Sequence, residues 1–101
     1  MATKQAVIIG FDGDVTTIEY DKKNEYQTFR DAVDGYIEMV SLMGTQLTMY
    51  INEEGKLEGQ PFNEKATAIF REKFKTPDYI AGNAIFVGAQ KHLDKIVSLF
   101  G

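Results

Sequence analysis

Side chains that could do chemistry are concentrated in two polar stretches of this sequence. In the first, Asp12 and Asp14 stand on either side of Gly13, directly after an apolar run. Carboxylates at this spacing could hold a divalent cation. The second stretch, residues 52–63, reads NEEGKLEGQPFN and places carboxylates, a lysine and two asparagine amides between apolar segments. Each stretch is either a site or only a turn of the chain.

Both stretches also have the composition of tight turns. Glycine-flanked aspartates are preferred in hairpin turns, and Asn52 can open a turn in which Gly55 takes a positive φ. Lys56–Gly59 would then return as a short strand, which Pro61 would end before a helix. Conformation alone explains these residue types, so residue chemistry by itself favours the turn interpretation.

The sequence VIIGFDGDVTT resembles the D-x-D-x-T opening of haloacid-dehalogenase-type phosphatases. The resemblance implies that Asp12 attacks phosphorus and that Asp14 is a general acid, both beside a magnesium ion. However, such enzymes are doubly wound and usually longer than this chain, and no later acidic pair is apparent. Thr17 stands where that family prefers an apolar residue. An EF-hand is excluded because Thr17 occupies the sixth loop position, which requires glycine.

No other catalytic constellation is apparent. His92 is the only histidine and cysteine is absent, so a zinc site would need several converging carboxylates. We expect His92 to lie partly exposed on a helix, without a catalytic partner. The sequence has neither a G-x-S-x-G elbow nor a G-x-x-x-x-G-K-[ST] phosphate loop. We therefore predict no catalytic residue, no metal and no cofactor.

Composition indicates one folded domain without a nucleic-acid partner. The chain has 101 residues, and 44% of them are apolar, which is enough to build a core. The net charge of −4 opposes binding to phosphate backbones. No apolar run is long enough for a signal sequence or a membrane helix. We expect residues 1–101 to form a single cytoplasmic domain that contacts no membrane.

Hydrophobic periodicity predicts two hairpins and a further strand. Gln5–Phe11 and Val15–Tyr20 form the first hairpin, and Tyr36–Met43 and Gln46–Ile51 form the second. Gln5–Phe11 is nearly continuously apolar, which is typical of a central strand, and Asn83–Gly88 is a fifth strand.

Three helices follow or separate these strands. The first is capped by Asn24, ends at a left-handed Gly35 and presents Tyr26 on its buried face. The second begins at an Asn63 cap and ends near Lys75, and the third closes the chain.

The order ββαββαβα lacks regular β–α alternation and predicts an α+β fold. We expect a mostly antiparallel sheet of about five strands with two to three helices. An open sheet leaves edges, and edge pairing could form a homodimer. The apolar Leu99 and Phe100 at the end of the last helix need cover, which docking on the helix's own sheet or, less simply, a dimer interface would provide.

Three motifs occur together at a defined spacing: GYIEMV at 35–40, NEEGKLEGQPFN at 52–63 and DYIAGNAIFVG at 78–88. They resemble the signature of a small domain-of-unknown-function family found mostly in bacteriophages, plasmids and other mobile elements. The resemblance covers roughly residues 5–90, and Gln60 departs from it because leucine is usual there. It implies a compact α+β accessory protein and carries no established activity.

The shared middle motif is richer than a turn requires, because a turn needs only its asparagine and its first glycine. If the protein has a binding site, the resemblance places it in this motif; the alternative is that the motif is only a turn. Lys56 would supply a point charge for an anion, and Asn52 and Asn63 would offer amide hydrogen bonds. Glu53 and Glu54 would stand at the rim.

Two functions from different classes remain. The leading prediction is a non-enzymatic binding protein of a phage or mobile element, which acts in the host cytoplasm. It would mask a host protein or sequester a small ligand, as an anti-defence protein does. The alternative is a small metal-dependent phosphoester hydrolase, whose turnover would be lost on exchange of Asp12 or Asp14. A virion structural role is opposed by the scattered polar surface.

Overall fold

The computed structural model describes residues 3–42 and 44–101. In that part of the chain, five strands and three α-helices follow in the order ββαββαβα. The strands are β1 (Thr3–Ile9), β2 (Val15–Asp21), β3 (Ile37–Leu42), β4 (Leu47–Asn52) and β5 (Ala84–Gly88). The helices are α1 (Glu25–Val33), α2 (Glu64–Phe74) and α3 (Gln90–Phe100). The predicted single α+β domain and its element order are confirmed.

The strands form one antiparallel sheet in the order β2-β1-β5-β4-β3. Both predicted hairpins are present, although the predicted strand end at Met43 lies outside the described residues. β5 inserts between the hairpins and pairs with β1 and β4. The outer edges of the sheet therefore belong to β2 and β3.

The two faces of the sheet carry separate cores, because successive strand residues point to opposite sides. α1 covers one face, where Phe29 and Val33 pack with Tyr20 and Ile85. α2 and α3 cover the other face. Residues of this second core include Ile9, Met49, Ala66, Ile69, Phe86, Leu93 and Ile96.

The alternation continues into the edge strand β3. Val40 packs against the core beneath α2 and α3, whereas Ile37 packs against the core beneath α1. Glu38 shares the side of Val40, and Met39, which is 64% exposed, shares the side of Ile37. Sequence periodicity thus decides which side chains this edge offers on each face.

The predicted cap of α2 is confirmed. Asn63 lies at the N-cap position, and its Oδ1 accepts a hydrogen bond from the Ala66 N–H at 3.1 Å. The helix ends at Lys75, which has a left-handed φ of 52°. This geometry fixes the direction in which the chain leaves α2.

Three predictions for α1 are wrong. Asn24 makes no side-chain cap hydrogen bond, and the left-handed residue at the helix end is Asp34, with φ of 58°, rather than Gly35. Gly35 instead provides space, because a Cβ there would lie 2.5 Å from the Nδ2 of Asn52. Tyr26 is 55% exposed, since only Phe29 and Val33 of this helix are buried.

Candidate functional site

An open pocket of about 380 Å³ lies where β3 and β4 meet two connecting segments. The first is the 53–59 loop, which follows β4, and the second is the 78–81 segment, which precedes β5. The pocket volume lies in the range of about 300–1,000 Å³ that is usual for ligand sites. The motifs at 52–63 and 78–88 therefore meet in space at this pocket.

Asn52 fixes the base of the 53–59 loop. Its buried Nδ2 donates to the carbonyl of Asp34 at 3.1 Å and to a carboxylate oxygen of Glu58 at 3.1 Å. Its Oδ1 accepts from the backbone N–H of Glu54 at 2.8 Å. One amide thus joins the end of α1, the end of β4 and the far side of the loop.

The 53–59 loop is a series of turns, and the predicted short strand at Lys56–Gly59 is absent. Backbone N–H groups of Glu58, Gly59 and Gln60 donate within the loop over 2.8–3.1 Å, which leaves them unavailable for sheet pairing. The predicted positive φ falls at Gly59 (71°) and not at Gly55.

Gly55 is required for close approach. A Cβ at this position would lie 2.9 Å from the carbonyl oxygen of Ala81, a backbone atom that cannot rotate away. The glycine therefore allows the loop to pack directly on the 78–81 segment.

Lys56 is held by two neighbouring residues of the 78–81 segment. Its ammonium group forms a hydrogen-bonded ion pair with Asp78 and lies 4.5 Å from the centroid of the Tyr79 ring. The hydrogen bond from Lys56, followed by one from the backbone N–H of Tyr79 at 2.8 Å, lowers the pKa of Asp78. About half of each charged side chain is exposed (45% for Lys56 and 52% for Asp78), so the pair stabilises the fold only modestly.

Helix α2 positions the 78–81 segment through Arg71. The Nε of Arg71 donates to the carbonyl of Asp78 at 2.9 Å, and an Nη2–H donates to the carbonyl of Pro77 at 2.8 Å. Thr67 of the same helix accepts from the buried N–H of Ile80 at 2.9 Å. Two side chains of one helix therefore hold this wall of the pocket.

The apolar part of the pocket combines half-buried and exposed groups. Val40, Ile51 and Phe70 are half-buried and pack against the core. Leu57 also lines the pocket and is 86% exposed. The Tyr79 ring, with its centroid 5.8 Å from that of Phe62, extends this surface outward. The site therefore offers apolar contact beside several charges.

The five predicted site residues do not all line the pocket. Asn52, Glu53 and Lys56 line the pocket, whereas Glu54 is exposed outside its lining. Asn63 is fully buried, and its Nδ2 donates to the carbonyls of Ile9 and Gly82 at 2.9 and 2.8 Å. Both predicted amides therefore have their hydrogen bonds inside the fold.

Leu57, inside the 52–63 stretch, was not singled out from the sequence. The same holds for three exposed charged or aromatic lining residues in the other motifs: Glu38, Asp78 and Tyr79. All three belong to the motifs that accompany the 52–63 stretch, GYIEMV and DYIAGNAIFVG. The signal that could have found them was the joint occurrence of charged and aromatic residues in these motifs.

Asp12 and Asp14 lie in the β1–β2 turn. Asp12 Oδ1 accepts from the Asp14 N–H at 3.0 Å, and the Gly13 N–H donates to the Gly10 carbonyl at 2.9 Å. Gly13 has a φ of 95°. Among residues 3–42 and 44–101, no group of three or more His, Asp or Glu side chains is placed to hold a metal ion. His92 is partly exposed on α3.

No helix in the described part of the chain is long and apolar enough to cross a membrane.

The comparisons with known proteins identify a family and no function. Comparison with curated proteins found no match, and comparison with solved structures found none either. A protein family described as a domain of unknown function (DUF3846) matches residues 4–100, nearly the whole chain. By this match, the chain belongs to the DUF3846 family.

Proposed function

We propose that this protein is a non-enzymatic binding protein and that the pocket between the 53–59 loop and the 78–81 segment is its site. The observation that carries the proposal is Leu57, a leucine that is 86% exposed at a pocket of about 380 Å³. Its loop is fixed at Asn52 by hydrogen bonds and at Gly55 by close packing. Leu57 does not stand alone: the exposed Tyr79 lines the same pocket and packs on the exposed Phe62. Exposed apolar side chains grouped at a pocket are typical of a binding site.

Of the predicted site residues, Glu53 offers its side chain to a ligand at this pocket, and Lys56 lines the pocket while paired with Asp78. Asn52 and Asn63 support the site from within, because their amides are engaged by the backbone. Glu54 stands at the outer side of the loop. The binding role of the five residues is therefore divided between direct contact and positioning.

The sequence resemblance to a family of phages, plasmids and mobile elements supports the biological part of the proposal. The protein would act in the host cytoplasm on a host component. It would mask a partner protein or sequester a small ligand, and it would need no cofactor. An anti-defence role agrees both with masking a partner protein and with sequestering a small ligand.

The experiment is native mass spectrometry of the protein after incubation with host extract, with two leucine variants. Leu57→Ala removes the exposed contact at the pocket, and Leu99→Ala removes a leucine on α3 that is 66% exposed and does not line the pocket. We expect a bound component on the wild type and on Leu99→Ala, and its loss from Leu57→Ala. A wild-type protein without any bound mass, or equal binding by both variants, would refute the proposal.

A further inference from the structure

The unpaired charges at the proposed site are negative. Glu38, Glu53, Asp78 and Lys56 line the pocket, and Lys56 is engaged by Asp78 and by the Tyr79 ring. Within residues 3–42 and 44–101, the carboxylates of Glu38 and Glu53 have no hydrogen-bond or ion-pair partner. An anion entering the pocket would meet these two carboxylates and would have to compete with Asp78 for Lys56. The charge balance therefore favours a cationic ligand.

The same pocket opens onto an unpaired strand edge. Glu38 and Val40 lie on β3, which, in the part of the chain that the structure describes, pairs with β4 on one side and ends the sheet on the other. Such an edge presents backbone N–H and C=O groups that a further strand can pair with. β3 carries one charge, Glu38, whereas the opposite edge strand β2 carries Glu19 and Asp21. β3 is thus the less protected of the two edges.

From these two features we infer the chemical class of the ligand, an inference that rests on the proposed function of the pocket. We propose that an extended segment of a partner protein adds to β3 as a sixth strand and inserts alternate side chains into the pocket. One of these side chains is a lysine or arginine that pairs with Glu38 and Glu53. The next on the same face is apolar and packs on Val40 and Leu57.

The alternation of side chains along a strand requires the basic and the apolar residue of the partner to be two positions apart. Side chains two residues apart on an added strand point to the same face, as Glu38 and Val40 do on β3. Opposite charges on neighbouring strands stabilise such pairing, and like charges oppose it. A second copy of this chain is a poor occupant of the edge. Its own β3 would place another Glu38 beside the first, and each copy carries a net charge of −4.

The probe is a synthetic peptide of about eight residues, within the usual range of strand lengths, with the repeating sequence Lys-Thr-Leu-Thr. Its control has Glu in place of Lys. Binding is followed by NMR titration of the ¹⁵N-labelled protein. We expect shifts in the amides of Ile37–Leu42 with the lysine peptide and none with the glutamate peptide. The double variant Glu38→Gln, Glu53→Gln should bind the lysine peptide about tenfold more weakly, and Glu19→Gln on β2 should bind it as the wild type does.

Three results would overturn the inference. The first is binding of the glutamate peptide or of inorganic phosphate in preference to the lysine peptide, and the second is failure of the lysine peptide to bind. The third is a concentration-dependent shift of the β3 amides with a dimer in sedimentation, which would make a second copy the occupant. If Leu57-dependent capture of a host component persists in any of these cases, the proposed function stands and only the ligand class is wrong.

Discussion

At the scale of single residues, Asn63 shows how one side-chain amide can join three parts of a small protein. Its Oδ1 caps α2 at Ala66, and its Nδ2 donates to the carbonyls of Ile9 in β1 and Gly82 before β5. The residue is fully buried. Buried backbone carbonyls need hydrogen-bond partners, and removal of this amide leaves those of Ile9 and Gly82 without their donor.

Asn63→Ala should lower the free energy of unfolding by about 2–4 kcal/mol, because it removes a helix cap and leaves two buried carbonyls without donors. The measurement is urea unfolding followed by circular dichroism. Asn24→Ala is the matched control, since Asn24 precedes α1 without a side-chain cap, and its effect should stay within about 0.5 kcal/mol. Equal effects of the two variants would contradict the structural role of Asn63.

Asp78 predicts a small dependence of stability on pH. Its pKa is lowered in the folded state, first by the hydrogen bond from Lys56. Its contribution is therefore present above its unfolded pKa, near 3.8, and is lost as the pH falls through the lower folded value. Because the pair is half-exposed, the contribution at neutral pH should be below about 1 kcal/mol.

Urea unfolding of the wild type and of Asp78→Asn at two pH values tests this dependence. The wild type should be slightly more stable at neutral pH, and the difference should vanish once Asp78 is protonated. Asp31→Asn is a control for general charge effects, since Asp31 is an exposed aspartate of α1 bonded to Gln27. A difference for Asp78→Asn that persists unchanged in acid would refute the role of its carboxylate.

At the scale of elements, α2 has a second role besides covering the sheet. Arg71 and Thr67 extend from it to the backbone of the 78–81 segment. These hydrogen bonds hold one wall of the pocket in place against α2. Without Arg71 and Thr67, the segment before β5 would lose its side-chain hydrogen bonds to α2.

Arg71→Ala should speed amide hydrogen exchange in residues 78–81 and weaken binding at the pocket, because it removes two hydrogen bonds to Pro77 and Asp78. The unfolding free energy should fall by only about 1 kcal/mol, since Arg71 is exposed. Lys73→Ala on the same helix is the control and should leave exchange unchanged. Faster exchange in both variants would indicate general fraying of α2 instead.

At the scale of the whole molecule, one sheet is shared by two cores. Phe29 is buried under α1 on one face, and Phe86 is buried under α2 and α3 on the other. Because β5 contributes Ile85 to the first core and Phe86 to the second, neither core can form without the central strand. The molecule should therefore unfold as one unit.

Phe29→Ala and Phe86→Ala should each lower the free energy of unfolding by about 3–5 kcal/mol. Each should also keep a single transition, with circular dichroism and tyrosine fluorescence changing at the same denaturant concentration. Tyr26→Ala, on the exposed side of α1, should cost less than about 1 kcal/mol. Two separate transitions in either phenylalanine variant would show that the faces fold independently.

Much of the fold could be predicted from local sequence, because its determinants are local. Alternation over 15–20 and 46–51 predicted two strands, and Asn63 followed by an apolar-periodic run predicted the start of α2. The errors also have local causes. Gly35 was expected to be left-handed because glycine tolerates that conformation, but Asp34 adopts it while Gly35 gives room to Asn52.

The sequence by itself determined the α+β class and the order of elements, because hydrophobic periodicity is read along the chain. Only the tertiary structure decided the composition of the candidate site. Strand order places Glu38 of β3 beside a loop that follows β4, and Lys56 meets Asp78 across 22 residues. Only the tertiary structure places Asn63 in the interior, where its Nδ2 donates to the carbonyls of Ile9 and Gly82 from distant segments of the chain.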